Sequence, residues 1–308
     1  VADLAGTLHA LDAQGQPRWA VELGHTPMGT PAIGPDGTIY VVDRAAGLSA
    51  VAPDGTLRWR FQSSYRADGT SGPIVATDGT IYYTLIDGVQ AVTATGESRW
   101  ANGDRELNYL EIVPRLSADG SLVFLKNVAF STTDGSLLGL DLVPDDAEFN
   151  DPTYFVGANG RNYYRSSHSA LPWRIVEGGV ATPGAITWEA QGNVVFFPSD
   201  SGATVEQTVW LLYSSDFADT RLVWIDNDGT LKNNLFFPLQ ETRAVAANAD
   251  GTLTICGTRG PVRCAAYSPE SAEPRWELQL EAGQIAGSAL SAGRLYIALA
   301  DGTLYAIE

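Results

Sequence analysis

The densest chemistry in the chain lies at residues 161–174, RNYYRSSHSALPWR, which gathers Tyr163, Tyr164, Arg165, His168, Trp173 and Arg174. Aromatic faces beside guanidinium donors hold a sugar, an anion or a peptide segment, so these six are the candidate ligand-binding residues. The competing reading is structural: the tyrosines alternate between core and rim, and His168 tips a solvated loop. The chain has three histidines, and His9 and His25 have no paired acid or nucleophile nearby in sequence. That supply speaks against a His-based metal centre or a Ser-His-Asp triad. An EF-type loop at Asp226-Asn227-Asp228-Gly229 would need oxygen ligands where Trp224 and Leu235 stand, so it fails. Asp145 and Asp146 are adjacent on a loop and read as a solvated run rather than a general acid/base couple. No glycine-rich phosphate loop is present. No catalytic residue, metal site or cofactor is therefore expected.

Cys256 and Cys264, in TICGTRGPVRC, are the two cysteines. They fall on neighbouring strands of one hairpin centred near Gly260, at equal parity and hence on one face. A disulfide and two buried free thiols both fit that placement. Without a nearby histidine they make a poor zinc set.

The elements that must position these residues are short hairpins. Asp-Gly-Thr/Ser occurs nine times, at Asp36, Asp54, Asp68, Asp78, Asp119, Asp134, Asp228, Asp250 and Asp301. Glycine takes positive φ without a Cβ clash, and aspartate bonds the turn backbone. Thr38, Thr80, Ser121 and Arg161 each open an apolar run and recur about every 41 residues, a period that signals a β-propeller. After an interruption the phase resumes at Thr208, Thr252 and Arg294. Inner strands are expected to begin near residues 30, 72, 111, 152, 192, 243 and 286.

The count predicts an all-β fold, one domain over 1–308, made of seven four-stranded antiparallel blades. The blades are 29–62, 71–101, 110–142, 151–190, 191–238, 241–280 and 283–308. The last lacks an outer strand, and the segment 1–23 is expected to supply it, closing the ring and removing free edges. Eight blades are the alternative, because TLHALD near the start and TLYAIE at the end both read as third strands. Trp19, Trp59, Trp100 and Trp188 each follow a turn glycine by four residues, and Trp276 holds the same place with Ala272 replacing the glycine. A large ring recurring on the outermost strand reads as blade-to-blade docking. Three stretches break the rhythm and read as loops: 143–152, 166–173 and 198–207. Departures from a repeat are where binding usually enters.

A net charge of −17 with a pI near 4.4 disfavours nucleic acid and anionic lipid as partners, since both need a basic face, and no nucleic-acid partner is expected. No apolar run is long enough to span a bilayer as a helix.

The strings ALDAQGQPRW (10–19), AVAPDGTLRW (50–59), AVTATGESRW (91–100) and DGTLYAIE (301–308) resemble pyrroloquinoline-quinone-type (PQQ-like) propeller repeats. That family's signature is A-x-D-x-x-T-G-x-x-x-W, whose Trp docks blade onto blade. Ala10, Asp12, Gly15 and Trp19 match it with one residue fewer before the glycine; Ala50, Gly55 and Trp59 match in part, as do Ala91, Thr95, Gly96 and Trp100. The likeness is strong over 1–140 and 240–308 and weak between. The family includes quinoprotein dehydrogenases and non-enzymatic propellers similar to the lipoprotein of the outer-membrane β-barrel assembly machine. The dehydrogenase branch stacks its quinone on a ring of two adjacent bonded cysteines, whereas Cys256 and Cys264 are eight apart, and its calcium and catalytic carboxylates have no motif here. The lipoprotein's lipidation cysteine has no counterpart near Val1. The resemblance therefore implies a non-enzymatic, extracytoplasmic (periplasmic or secreted) scaffold with a protein partner. The alternatives are carbohydrate or small-ligand binding in 143–220, and a quinoprotein-type or sugar-active enzyme.

Overall fold

A computed structural model describes residues 1–65, 72–86, 88–103, 114–117, 119–125, 128–138, 153–156, 162–168, 171–178, 186–191, 198–203, 209–213, 220–225, 230–237, 242–247, 250–257, 261–291 and 294–307. For the strands from 153 to 220 and for 242–247 the description is of the backbone. Two compact units follow one another, Val1–Leu140 and Asp141–Glu308. Among the described residues every regular element is a strand.

The first unit holds β1 (Thr7–Leu11) and β2 (Pro17–Glu22), then β3 (Pro27–Ile33), β4 (Ile39–Asp43), β5 (Gly47–Val51) and β6 (Leu57–Gln62). It continues with β7 (Ile74–Val75), β8 (Ile81–Leu85), β9 (Gly88–Val92) and β10 (Ser98–Asn102), and ends with β11 (Arg115–Leu116), β12 (Leu122–Leu125), β13 (Val128–Ser131) and β14 (Leu137–Leu138). The second unit opens with β15 (Thr153–Val156), β16 (Asn162–His168), β17 (Leu171–Gly178) and β18 (Ile186–Gln191). Next come β19 (Pro198–Ala203), β20 (Val209–Tyr213), β21 (Thr220–Ile225) and β22 (Leu231–Phe237). It closes with β23 (Thr242–Ala247), β24 (Leu253–Gly257), β25 (Pro261–Tyr267), β26 (Trp276–Ala282), β27 (Ile285–Ser291), β28 (Arg294–Leu299) and β29 (Leu304–Ile307). Each run of four from β3 to β26 is its own antiparallel sheet of consecutive strands, while β1–β2 and β27–β29 form sheets of two and three.

The hairpins close as the turn residues dictate. Gly37 N donates to Gly34 O at 2.9 Å and Gly34 N to Thr38 O at 2.8 Å, a type I turn followed by a left-handed glycine. Gly37 has φ 80°, Gly55 91° and Gly79 83°, a region only glycine enters freely. Each described Asp of the repeat accepts the N–H two residues on: Asp36 from Thr38, Asp54 from Thr56, Asp78 from Thr80, Asp119 from Ser121, Asp134 from Ser136, Asp250 from Thr252 and Asp301 from Thr303. The turns at Asp68 and Asp228 lie outside the described residues.

Apolar side chains fill the seams between successive sheets. Tyr40, Val42, Leu48 and Ala50 of one sheet meet Ile81, Tyr83, Leu85 and Val92 of the next. Tyr82, Ala91 and Trp100 then meet Val123, Leu125 and Phe130. In the second unit Leu222, Trp224 and Leu235 meet Leu253 and Ile255.

The tryptophans complete these seams in the first unit. Trp19 Nε1 donates to Pro53 O at 2.9 Å, Trp59 Nε1 to Ala94 O at 3.0 Å and Trp100 Nε1 to Thr132 O at 3.0 Å. Each ring lies on the glycine of that same turn in the following sheet. A Cβ added at Gly55 would sit 2.8 Å from Trp19 Cδ2, at Gly96 2.7 Å from Trp59 Cδ2, and at Gly135 2.5 Å from Trp100 Cε3. Register explains the signature alanine: Ala10, Ala50 and Ala91 stand directly opposite Trp19, Trp59 and Trp100, leaving room for the indole to fold over them. One position further across the sheets, Tyr40 and Tyr82 meet Trp59 and Trp100 with ring centroids 5.9 and 5.7 Å apart. Trp276 stands opposite Ala266 in the same way but is 38% exposed. The side chain of Trp188, on β18, lies outside the described residues.

The sequence rhythm misplaces two stretches. Residues 166–173, expected as a loop, are mostly strand, since β16 runs to His168 and β17 starts at Leu171. The polar tract at 198–203, also expected as loop, is β19; residues 192–197, where this inner strand is expected to begin, lie outside the described residues. Serine and glycine content mimics a loop, but cross-strand pairing to β20 supplies the backbone bonds that composition does not reveal. Residues 143–152, the third stretch expected as loop, lie outside the described residues.

Two expected outcomes follow from these turns and seams. Trp59→Ala should lower unfolding free energy by about 3 kcal/mol, the low end for a large aromatic because one ring edge meets solvent. Gly96→Ala should also destabilise, and the double variant should lose less than the two single losses added, since both remove one contact. Urea unfolding measures this; a fully additive pair would contradict the contact. The second outcome concerns acid. Thr38's hydroxyl and N–H, then Arg58, hold the Asp36 carboxyl far below its ordinary value. The N–H two residues on does the same first at Asp54, Asp78, Asp134, Asp250 and Asp301, and Ser117's hydroxyl does so first at Asp119. A depressed folded-state value gives stability that is present above about pH 4 and drains away as pH falls further. The urea midpoint should therefore hold from pH 7 to 5 and drop by pH 3, and Asp78→Asn should show a smaller drop. A level midpoint down to pH 3 would contradict the capping role.

Candidate functional site

The six residues of 161–174 are split between two strands. Tyr163, Tyr164, Arg165 and His168 stand on β16, and Trp173 and Arg174 on β17. These strands pair with Tyr163 opposite Glu177, Arg165 opposite Ile175, Ser166 opposite Arg174 and His168 opposite Leu171, with an irregularity between Ser166 and His168. The backbone thus brings the six into one hairpin whose other edges pair with β15 and β18. Their side chains lie outside the described residues. The same holds for all of Asp145, Asp146, Asp226 and Asn227.

Trp224 and Leu235, the residues that break the EF-type pattern, are buried in the seam between two sheets. Trp224 Nε1 donates to Gly251 O at 3.3 Å.

Several charged residues that sequence reasoning passed over are bound into the framework. The arginine preceding a docking tryptophan reaches back to the first turn of its own sheet. Arg58 Nη1 donates to Asp36 Oδ2 at 2.7 Å and Thr38 Oγ1 at 2.6 Å; Arg99 Nη1 donates to Asp78 Oδ2 at 3.1 Å and Thr80 Oγ1 at 2.8 Å. Arg275 Nη1 meets Asp250 Oδ2 at 2.7 Å. The signal was present as an Arg-Trp pair at 18–19, 58–59, 99–100 and 275–276. Neighbouring residues on a strand point to opposite faces, so one dipeptide can tie its own sheet with Arg and the next with Trp.

Asp43 is the most enclosed described acid. Its Oδ1 accepts Ala45 N at 2.8 Å and Gly47 N at 2.9 Å, and its Oδ2 takes Arg60 Nη2. Arg60 Nη1 also donates to Leu23 O, just past β2, so the pair joins two sheets. With its acceptors filled this way, Asp43 works as a tether rather than a ligand donor. Gln90, likewise buried, accepts from Ser63 Oγ at 3.1 Å and donates to Trp100 O at 2.8 Å.

His9 does have an acid partner, against the sequence reading: its Nε2 lies 2.8 Å from Asp3 Oδ2. The turn 3–7 folds back so that Asp3 Oδ1 also accepts Ala5 N and Thr7 N, each at 2.9 Å. His9 first, then the turn N–H groups, hold Asp3 below its ordinary value. Both side chains are about two-fifths exposed, and the pair sits on a capped turn with no nucleophile shown beside it among the described contacts.

Cys256 and Cys264 stand directly opposite each other on β24 and β25 and are joined as a disulfide. Among the described residues no group of three or more His, Cys, Asp or Glu side chains gathers around one point that could hold a metal ion. No described helix is long and apolar enough to cross a membrane.

Known proteins place this arrangement. No curated protein matches the chain by sequence. Among solved structures, BamB from Moraxella catarrhalis is similar with a TM-score of 0.71 and 14% identity, covering 99% of this chain and 92% of its own. The C-terminal WD40 domain of Sif2 is similar with a TM-score of 0.72 and 13% identity, covering 98% and 90%. A catalytically inactive virginiamycin B lyase from Staphylococcus aureus, solved with quinupristin, reaches 0.66 at 12% identity, covering 97% of each chain. At such identities the likeness establishes the propeller fold and leaves activity open. Residues 4–144 match the family model described as outer membrane protein assembly factor BamB. The chain is thus an all-β protein of the propeller type, and its repeats are similar to those of the PQQ-like propellers that include BamB.

Proposed function

We propose that residues 1–308 form one propeller domain acting as a non-enzymatic scaffold, with its loops holding a protein partner outside the cytoplasm. The observation that carries this reading is the BamB match over 4–144, the same stretch in which indoles seat sheet upon sheet. The polar groups described there support it: the turn carboxylates and Asp43 serve as caps and tethers, which suits a rigid frame more than a reacting centre. The Cys256–Cys264 disulfide favours an oxidising compartment.

Ring closure belongs to the same reading. Seven blades with the N-terminal strand completing the last is the count drawn from the repeat. Eight is the second reading, and one observation favours it. β2 already pairs with β1 along its length, from Thr7↔Glu22 to Leu11↔Pro17. Closure at seven places β2 beside β29 as the outer strand of the last blade and leaves β1 in excess of that four-stranded blade.

Affinity purification of the tagged chain from a cell-envelope fraction, after brief cross-linking, tests the scaffold reading. A defined protein partner should co-purify in near-equal amount. Recovery of the chain alone would count against it, as would dye reduction with alcohols or sugars once pyrroloquinoline quinone and calcium are added. A glycan-array signal that disappears on Trp173→Ala and Arg165→Ala would replace it with the carbohydrate reading.

A further inference from the structure

The Cys256–Cys264 disulfide is enclosed by the sheet that follows it. Both residues are 0% exposed. They share an apolar cluster with Val262 and Leu280 of their own sheet and with Ile285, Leu295, Ile297 and Leu299 of β27 and β28. Thiol–disulfide exchange needs a thiolate to approach a sulfur in line with the S–S bond, and the rate depends on access. A charged thiolate entering this cluster would also lose its hydration among the apolar side chains of Val262, Leu280, Ile285, Leu295, Ile297 and Leu299. Residues 1–308 hold two cysteines, so no third thiol among them can shuffle the bond.

From this we infer an order of events: Cys256 and Cys264 are oxidised by an external disulfide before β27–β29 pack over them, and packing then seals the bond against reductants. The chemistry balances with a dithiol/disulfide acceptor. One cysteine thiolate attacks the acceptor's S–S bond, which breaks and releases one acceptor thiolate. The other cysteine thiolate then attacks the mixed disulfide, forming Cys256–Cys264 and releasing the second acceptor thiolate. Two electrons pass to the acceptor, and the two thiol protons go to solvent or the acceptor. The reaction class that must precede completion of this fold is therefore protein disulfide formation on an open hairpin.

Refolding the reduced full chain tests the order. Oxidised glutathione is present from the first moment in one arm and is added after folding in the other, with free thiols trapped by a maleimide mass tag. Bond formation should be at least about tenfold slower in the second arm; equal rates would overturn the inference. If the reduced chain does not fold, the oxidised native protein provides the readout. Dithiothreitol should release its thiols at least about tenfold more slowly than in the urea-unfolded chain, and Leu299→Ala, which thins the cover, should narrow that gap. Equal reduction of native and unfolded chains would overturn it as well.

Discussion

The first unit depends on one contact made three times: an indole lying flat on the glycine of a turn in the next sheet. The glycine is required twice over. Its φ is positive, and any Cβ would enter the ring above it, as at Gly96 beneath Trp59. The indole N–H then bonds a carbonyl of that same turn, so the contact has an orientation as well as an area. Adjacent sheets joined only by apolar burial could slide, because hydrophobic contact has no direction. A hydrogen-bonded ring on a bare turn sets one position. The small alanine opposite each tryptophan lets the ring lie over its own sheet, and Tyr40 or Tyr82 meets it there.

The regular parts of this fold were legible because turn chemistry is local. The aspartate of each of the seven described Asp-Gly pairs caps the N–H two residues on, whether the backbone bond of the turn spans three residues, as at Gly37, or four, as at Gly135. The cysteine placement was also readable to the level of shared face, since strand parity alone puts Cys256 opposite Cys264. Other features depend on partners distant in sequence. Arg58 reaches Asp36 across two strands, and Arg60 reaches Leu23 in another sheet; the recurring Arg-Trp pair marks Arg58, but nothing adjacent in sequence names the partner of either arginine. His9 looked isolated because its partner, Asp3, is six residues away and is brought close only when the turn between them folds. The tract at 198–203 reads as loop by composition and becomes strand because β20 offers it a ladder. The weak repeat between 143 and 220 held the candidate ligand residues, and that is where sequence rhythm is the poorest guide.

The charge of −17 takes on a different meaning in this light. Seven of the nine Asp-Gly turn aspartates are described, and all seven bond the backbone of their own turn. Seven of the chain's 36 acidic side chains thus serve hairpin closure rather than a surface selected for a cation. Under the proposed scaffold reading, recognition would fall to the stretches that depart from the repeat.

Hydrogen exchange at the indole nitrogens, followed by NMR, examines the central contact most directly. The account predicts that Nε1–H of Trp19, Trp59 and Trp100 exchanges slowly, at rates tied to separation of the sheets. Exchange at free-indole rates, while the backbone amides of β4 and β8 stay protected, would contradict it.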